Sequence, residues 1–389
     1  MPDTTAAVPP RPLNVGDIVV GPNDLLGEWV AAQVTSVDPS WKKVGVLDLD
    51  WSGPEPSSTD DLDVIEPLVL THNSWNGRLS YVNCDWVLPR SFRVLGSLPL
   101  IHDQSSKSYT SSWRVGYQLA RQRAWDRGER DWNEPGELEM TPADLANALA
   151  DGAPVQSDVR SLKSTGLSEV DCLRIASTFP NLKRLTLGGN LGQVTNAGML
   201  NKLGRLRDLF ISDLFGMTKS DCLLPIEVPN LEYLYLDSVP YEYASAMRSR
   251  WRSEAANGTS VSITKARKPE WVQENLENPL RDWDGREHIS SGRFKKAVAQ
   301  FKKTRSEVLA ALSVESDDST LGRLEDVGRK YARAFNRLDG RSPFIETEER
   351  EELFAALASA MDEFELELGR PLKDERLALL SGVEDARDW

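Results

Sequence analysis

The 389-residue sequence predicts a multidomain α+β fold: a small N-terminal β-barrel, a short α/β solenoid built from repeated strand–turn units, and a C-terminal helical bundle. Three observations predict it. Apolar residues alternate with period two in the first hundred positions, leucines recur at 23- to 25-residue intervals in the middle, and apolar residues return every three or four positions in the last third. At roughly 100–200 residues per domain the chain holds two to four domains. The composition shifts place a disordered arm at 1–14, a β-domain at 15–104, a helical cap at 105–152, the repeats at 153–263 and the bundle at 264–389.

The arm is rich in Pro, Ala and Thr and has no apolar core of a secretion signal. From Val15 the alternation runs through Ile18–Val20, Trp29–Val37 and Val44–Trp51, separated by Gly, Pro, Asn and Asp clusters that turn the chain. Three antiparallel strands follow, with more strand material at Arg78–Val82 and Phe92–Leu98. A Gly-Asp before the first strand, Trp29 opening the second and Asp50-Trp51 closing the third resemble a Tudor- or SH3-type barrel. That resemblance implies an aromatic rim able to hold a methylammonium group by cation–π attraction. Trp29, Trp41 and Trp51 are the candidate rings and Asp48 or Asp50 the counter-charge, unless the rings simply fill the small core.

In the middle, Leu182, Leu185 and Leu187 followed by Asn190 and Leu191 set a pattern that returns at Leu206, Leu209 and Ile211 and again at Leu231, Leu234 and Leu236. A degenerate earlier copy begins at Val159 and Leu162. Pro-Asn precedes both Leu182 and Leu231, ending a return segment and restarting a strand. The pattern resembles the leucine-rich repeat, in bacterial forms of which segments similar to Phe335–Leu338 and Phe344–Arg350 also occur. A repeat of this kind cannot bury its leucines alone, so neighbours must stack. The return segments 168–179, 196–203 and 221–228 are expected to be helical or 3₁₀. Asn190 is expected to serve the turn, and Cys172 and Cys222 to be buried small side chains.

Strand periodicity then names what the inner face presents. Three rungs cross it: Arg184/Asp208/Tyr233, Thr186/Phe210/Tyr235 and Gly188/Ser212/Asp237. Aromatic rings beside Arg and Asp are the composition of a binding hot spot. The candidate protein-binding residues are therefore Arg184, Thr186, Asp208, Phe210, Ser212, Tyr233, Tyr235 and Asp237, provided that the flanking domains do not cover them. Helical spacing at Trp113–Arg127 and Pro142–Leu149 supplies an N-terminal cap, and Tyr241–Arg252 with Ser260–Ile263 closes the other end. The bundle is expected to have three helices, marked by Phe294–Leu312, Leu321–Leu338 and Leu353–Leu368, with a short extra helix at Lys373–Leu380. The charge-rich turn Arg281–Arg286 joins it to the repeats.

Of the net charge of -14, the first 104 residues carry -8, residues 105–152 carry -2 and residues 264–389 carry -5, whereas the repeats are net +1. Such a surface repels polyanions, so neither nucleic acid nor an anionic membrane is an expected partner. Three cysteines without a pairing framework fit a reducing, cytoplasmic setting. The three histidines are isolated, no metal or cofactor motif is present, and phosphate-loop and hydrolase signatures are absent, so neither cofactor nor catalysis is expected. The expected function is a scaffold or interaction module that binds a protein or peptide on the inner face. Two alternatives remain: an acidic neutraliser of a toxin or effector, and a barrel reader of a modified cation or an unrecognised enzyme.

Overall fold

The computed structural model describes residues 12–63, 65–102, 106, 108–110, 112–130, 134–313, 318–340 and 342–389. Contacts divide the chain into two units, Met1–Lys268 and Pro269–Trp389. Most of the expected arm, residues 1–11, lies outside the described residues, and Leu13 is buried in the core of the first unit.

That unit opens with β1 (Asp17–Asn23), β2 (Glu28–Asp38) and β3 (Lys43–Gly53), an antiparallel meander formed where β-branched residues alternate. A short pair, β4 (Val69–Leu70) and β5 (Arg78–Leu79), lies apart from it. Then β6 (Tyr81–Asp85) joins β3, and β7 (Arg93–Ser97) joins β1, giving the order β6-β3-β2-β1-β7. Val19, Val30, Val34 and Val46 fill one core cluster and Ile18, Val20, Ala31 and Leu49 another, so both faces of the sheet are covered. Buried Gln33 holds the following segment with its side chain, donating to the carbonyl of Pro99 at 3.0 Å and accepting from the N–H of Ile101 at 2.9 Å.

A helix expected over Trp113–Arg127 is shorter: α1 spans Tyr117–Asp126. Gly116, at φ 79°, starts it, and Trp113 and Val115 are instead buried in the core of the antiparallel sheet. Next come β8 (Glu137–Met140) and α2 (Pro142–Ala148), capped by Thr141, whose Oγ1 accepts from the Asp144 N–H at 3.2 Å. The segment expected to form a helical cap thus also contributes a strand.

The second sheet is parallel throughout. Its strands are β8, β9 (Ser161–Asp171), β10 (Arg184–Thr195), β11 (Asp208–Phe215), β12 (Tyr233–Asp237) and β13 (Ser260–Thr264), in sequential order. The register pairs Arg184 with Asp208 and Asp208 with Tyr233, and likewise Thr186 with Phe210 and Phe210 with Tyr235. Between strands the chain returns through α3 (Cys172–Thr178), a 3₁₀ turn at Ala197–Lys202 and one at Lys219–Asp221, and after β12 through α4 (Tyr241–Trp251). Of the segment 221–228, expected to be helical or 3₁₀, only Asp221 belongs to a 3₁₀ turn; residues 222–224 have no regular structure and 225–227 form a turn, where Pro225 lacks the N–H a helix would need. Leu182, Leu185, Leu206, Leu209, Leu231 and Leu236 are fully buried in one core between the sheet and these segments. A bend within β10 needs glycine: a Cβ on Gly192 would stand 2.1 Å from the Leu167 carbonyl oxygen.

The second unit contains α5 (Pro269–Asn275), α6 (Ser291–Leu312), α7 (Asp318–Asp339), α8 (Thr347–Leu368) and α9 (Lys373–Ala386). The bundle therefore has four helices, α6–α9, where the sequence predicts three and a short extension. The fourth packs tightly along α7. A Cβ on Gly328 would stand 2.1 Å from the Leu379 carbonyl oxygen, and one on Gly382 would stand 2.0 Å from that of Glu325. Two small residues facing each other let the helix backbones approach, which an apolar stripe read at i and i+4 does not reveal. Within this unit the joining turn is anchored to α8: Trp283 Nε1 donates to Glu352 at 2.8 Å, and Arg286 pairs with Glu348, Glu349 and Glu352. No helix among the described residues is long and apolar enough to cross a membrane.

Candidate functional site

Strands β10, β11 and β12 of the parallel sheet start with the same backbone device. The carbonyl oxygen of Arg160 accepts from the N–H groups of both Lys183 and Arg184, that of Lys183 from Arg207 and Asp208, and that of Arg207 from Glu232 and Tyr233, all at 2.7–3.0 Å. One doubly bonded carbonyl per repeat fixes the phase of every strand, so side chains one repeat apart stand in rows.

Part of the face carrying those rows is covered from within the first unit. Tyr233 is 5% exposed and belongs to the core cluster of Phe92, Trp113, Val115 and Leu119, against which Phe210 also packs. The Trp113 N–H donates to the Tyr233 hydroxyl at 2.5 Å, and the Ser91 N–H to Glu232 Oε1 at 2.8 Å. Arg90 reaches the Pro229 carbonyl, Thr259 and Glu254. Arg90, Ser91 and Trp113 thus pair the polar groups of β12 and its flanks, which would otherwise be costly to bury.

Beside this contact a cavity of about 790 Å³ remains between the Pro22–Leu25 turn, residues 112–117 and 134–137, and the starts of β9, β10, β11 and β12. Its size falls within the ~300–1,000 Å³ of ordinary ligand pockets. Phe92, Trp113, Tyr117, Phe210 and Tyr233 supply its aromatic lining; six basic and six acidic side chains supply its charge. Fixed ion pairs hold several of these. Glu134 bridges Arg184 and Arg114, the latter at 3.0 Å, and Asp24 bridges Lys183 at 2.6 Å and Arg207 at 3.6 Å. Asp208 differs: its carboxyl has no hydrogen-bond donor among the described residues. Desolvation, reinforced by Glu232, pushes it up to about 7 against the opposing pull of Arg184, Arg207 and Arg114. Burial likewise raises the Glu232 carboxyl and the Tyr233 hydroxyl.

Of the residues singled out in the sequence, Arg184, Thr186, Asp208, Phe210 and Tyr233 line this cavity. Ser212, Tyr235 and Asp237 do not. Tyr235 packs on Phe210 with ring centroids 5.9 Å apart, while Asp237 accepts from Thr264 Oγ1 at 2.5 Å and lies 3.9 Å from Lys265. Tyr233, expected as a candidate binding residue on the inner face, is a core residue: its ring lies in the cluster that holds Phe92 and Trp113, and its hydroxyl accepts from the Trp113 N–H. Sequence reasoning missed Asp24, Arg114, Glu134, Lys183 and Arg207. The last two were within reach, since they stand immediately before the strand starts at repeat spacing; the others come from loops with no periodic signal.

The suggested aromatic rim of the antiparallel sheet carries the chain's own cations. Arg93 lies 5.5 Å from the Trp29 ring centre, and Lys43 lies over Trp41 and Tyr109. Asp48, expected as a rim counter-charge, is buried and accepts from Ser80 Oγ at 2.6 Å; burial raises its carboxyl to about 6. Cys84, Cys172 and Cys222 are free and buried, and no group of three His, Cys, Asp or Glu side chains among the described residues is placed to hold a metal. No family model matches the chain, and no curated protein or solved structure matches it either.

Proposed function

We propose that the parallel sheet is a short leucine-rich repeat solenoid, that the antiparallel sheet is an SH3- or Tudor-like barrel docked on its inner face, and that the chain is a non-enzymatic binding module. Its ligand is a protein that inserts a short segment into the cavity between the two sheets. The observation that carries this reading is the cavity itself: side chains one repeat apart, Arg184 with Asp208 and Thr186 with Phe210, line a space large enough for a few residues. Charges of both signs, held by ion pairs beside aromatic rings, suit the mixed polarity of a peptide better than a purely apolar ligand.

The test is capture by the tagged chain. Thr186→Arg places a long side chain in the cavity while leaving the buried leucines untouched. The partner recovered with the wild-type chain is expected to be lost, a decline of at least about thirtyfold in affinity if the segment is a hot spot of ~2 kcal/mol. Retention of the same partner by a Thr186→Arg protein with unchanged circular dichroism refutes the placement.

A further inference from the structure

Arg160, Lys183 and Arg207 occupy equivalent positions in successive repeats, each one residue before its strand begins, and all three line the cavity. Because the doubly bonded carbonyls fix their backbones, the three side chains form a row across adjacent strands. At about 4.8 Å per strand the row is roughly 10 Å long. Against these three cations, the ion pairs among the described residues go to one carboxylate: Asp24 Oδ2 meets both Lys183 and Arg207. Arg160 directs Nη1 to the main-chain oxygen of Ser157. The next residue of the row, Glu232, is already engaged by the Ser91 N–H.

Asp24 sits in the turn between β1 and β2, and half of its side chain is open to solvent. Exposed pairs of this kind are weak and readily exchanged for a competing anion. Resting on the reading of the cavity as a peptide site, we propose that the Arg160–Lys183–Arg207 row receives the carboxylate side chains of an acidic peptide segment, and that Asp24 is the chain's own occupant of that position, displaced when the segment binds. The length of the row favours a segment with two or more carboxylates over a single small anion, which would span only one pair of strands. Asp208, raised to about 7, is largely uncharged in mildly acidic solution and then offers an O–H donor instead of a repelling charge.

The experiment measures binding of a fluorescent six-residue peptide of alternating Glu and Gly to the full chain at low salt, with the same peptide carrying Gln for Glu and with inorganic phosphate as comparisons. Asp24→Asn is expected to tighten binding of the Glu peptide about twofold to fivefold, as removal of a weak internal competitor should. A gain of affinity cannot come from misfolding. Lys183→Gln with Arg207→Gln is expected to weaken it at least tenfold. The proposal is overturned if Asp24→Asn leaves affinity unchanged or lower, if the Gln peptide binds equally well, if neither wild type nor Asp24→Asn binds the Glu peptide, or if phosphate binds at these cations and the peptide does not. Loss of the captured partner in Thr186→Arg, together with an indifferent Glu peptide, would remove this inference and leave the binding reading standing.

Discussion

Asp208 makes the stability of the parallel sheet depend on pH with a sign opposite to that of a salt-bridged carboxylate. Its folded-state value near 7 stands above the ordinary 3.8. The proton is therefore held more tightly by the folded chain, and the contribution to stability is greatest below pH 4 and is lost as pH rises toward 7. Between pH 5 and pH 8 the loss has a ceiling of about 3 kcal/mol, at 1.36 kcal/mol for each pH unit up to 7. The side chain faces a cavity that admits water, which screens the charge, so a measured difference of about 1–3 kcal/mol is expected. Asp208→Asn removes the titration while keeping the shape. Burial raises Asp48 and Glu232 in the same direction, but both remain in the variant, so the difference between the two proteins isolates Asp208 to first order. Hydrogen exchange of the β10–β12 amides, corrected for intrinsic pH dependence, is the suitable assay, because a chain of two units need not unfold in one step. Wild type should lose protection relative to Asp208→Asn on going from pH 5 to pH 8. An equal difference at both values would refute the desolvated placement of this carboxyl and with it the geometry of the cavity.

Tyr233→Phe keeps the ring but deprives the buried Trp113 N–H of its acceptor; a cost of about 1–3 kcal/mol is expected, read as earlier exchange of β12 amides and of residues 113–115 together. In α7, Gly328→Ala should destabilise the second unit by about 1–3 kcal/mol and so lower its melting temperature, because its methyl meets the Leu379 carbonyl. Gly322→Ala on the same helix has open space around it and should stabilise the unit by about 0.5–1 kcal/mol, raising its melting temperature; equal effects of the two, followed by differential scanning calorimetry, would contradict the α7–α9 packing.

The leucine spacing made the parallel strands legible because burial of one face imposes a period that the chain must repeat: Leu185, Leu209 and Leu234 stand in register and are all buried. The alternation at Ile18–Val20 and Val44–Leu49 was readable for the same reason. Strand β8 was not, since only Leu138 and Met140 mark it and its partner is already a complete strand. The covering of Tyr233 left no trace in the sequence. It depends on Trp113, 120 positions away, and docking between distant segments has no period to betray it. Half of the cavity was invisible for that reason, as Asp24 and Glu134 are ordinary loop acids until the tertiary structure sets them beside Lys183 and Arg184.

The bonds from Arg90, Ser91 and Trp113 to Thr259, Glu232 and Tyr233 make the first unit chemically indivisible. A fragment holding residues 137–268 alone would bare the Tyr233 ring and strand the Glu232 carboxylate without its amide donor. The repeats are thus no detachable cassette. Any change in their number must preserve the strands that the amino-terminal half already grips, so an added unit between β11 and β12 would carry Tyr233 and Glu232 away from the Trp113 and Ser91 amides.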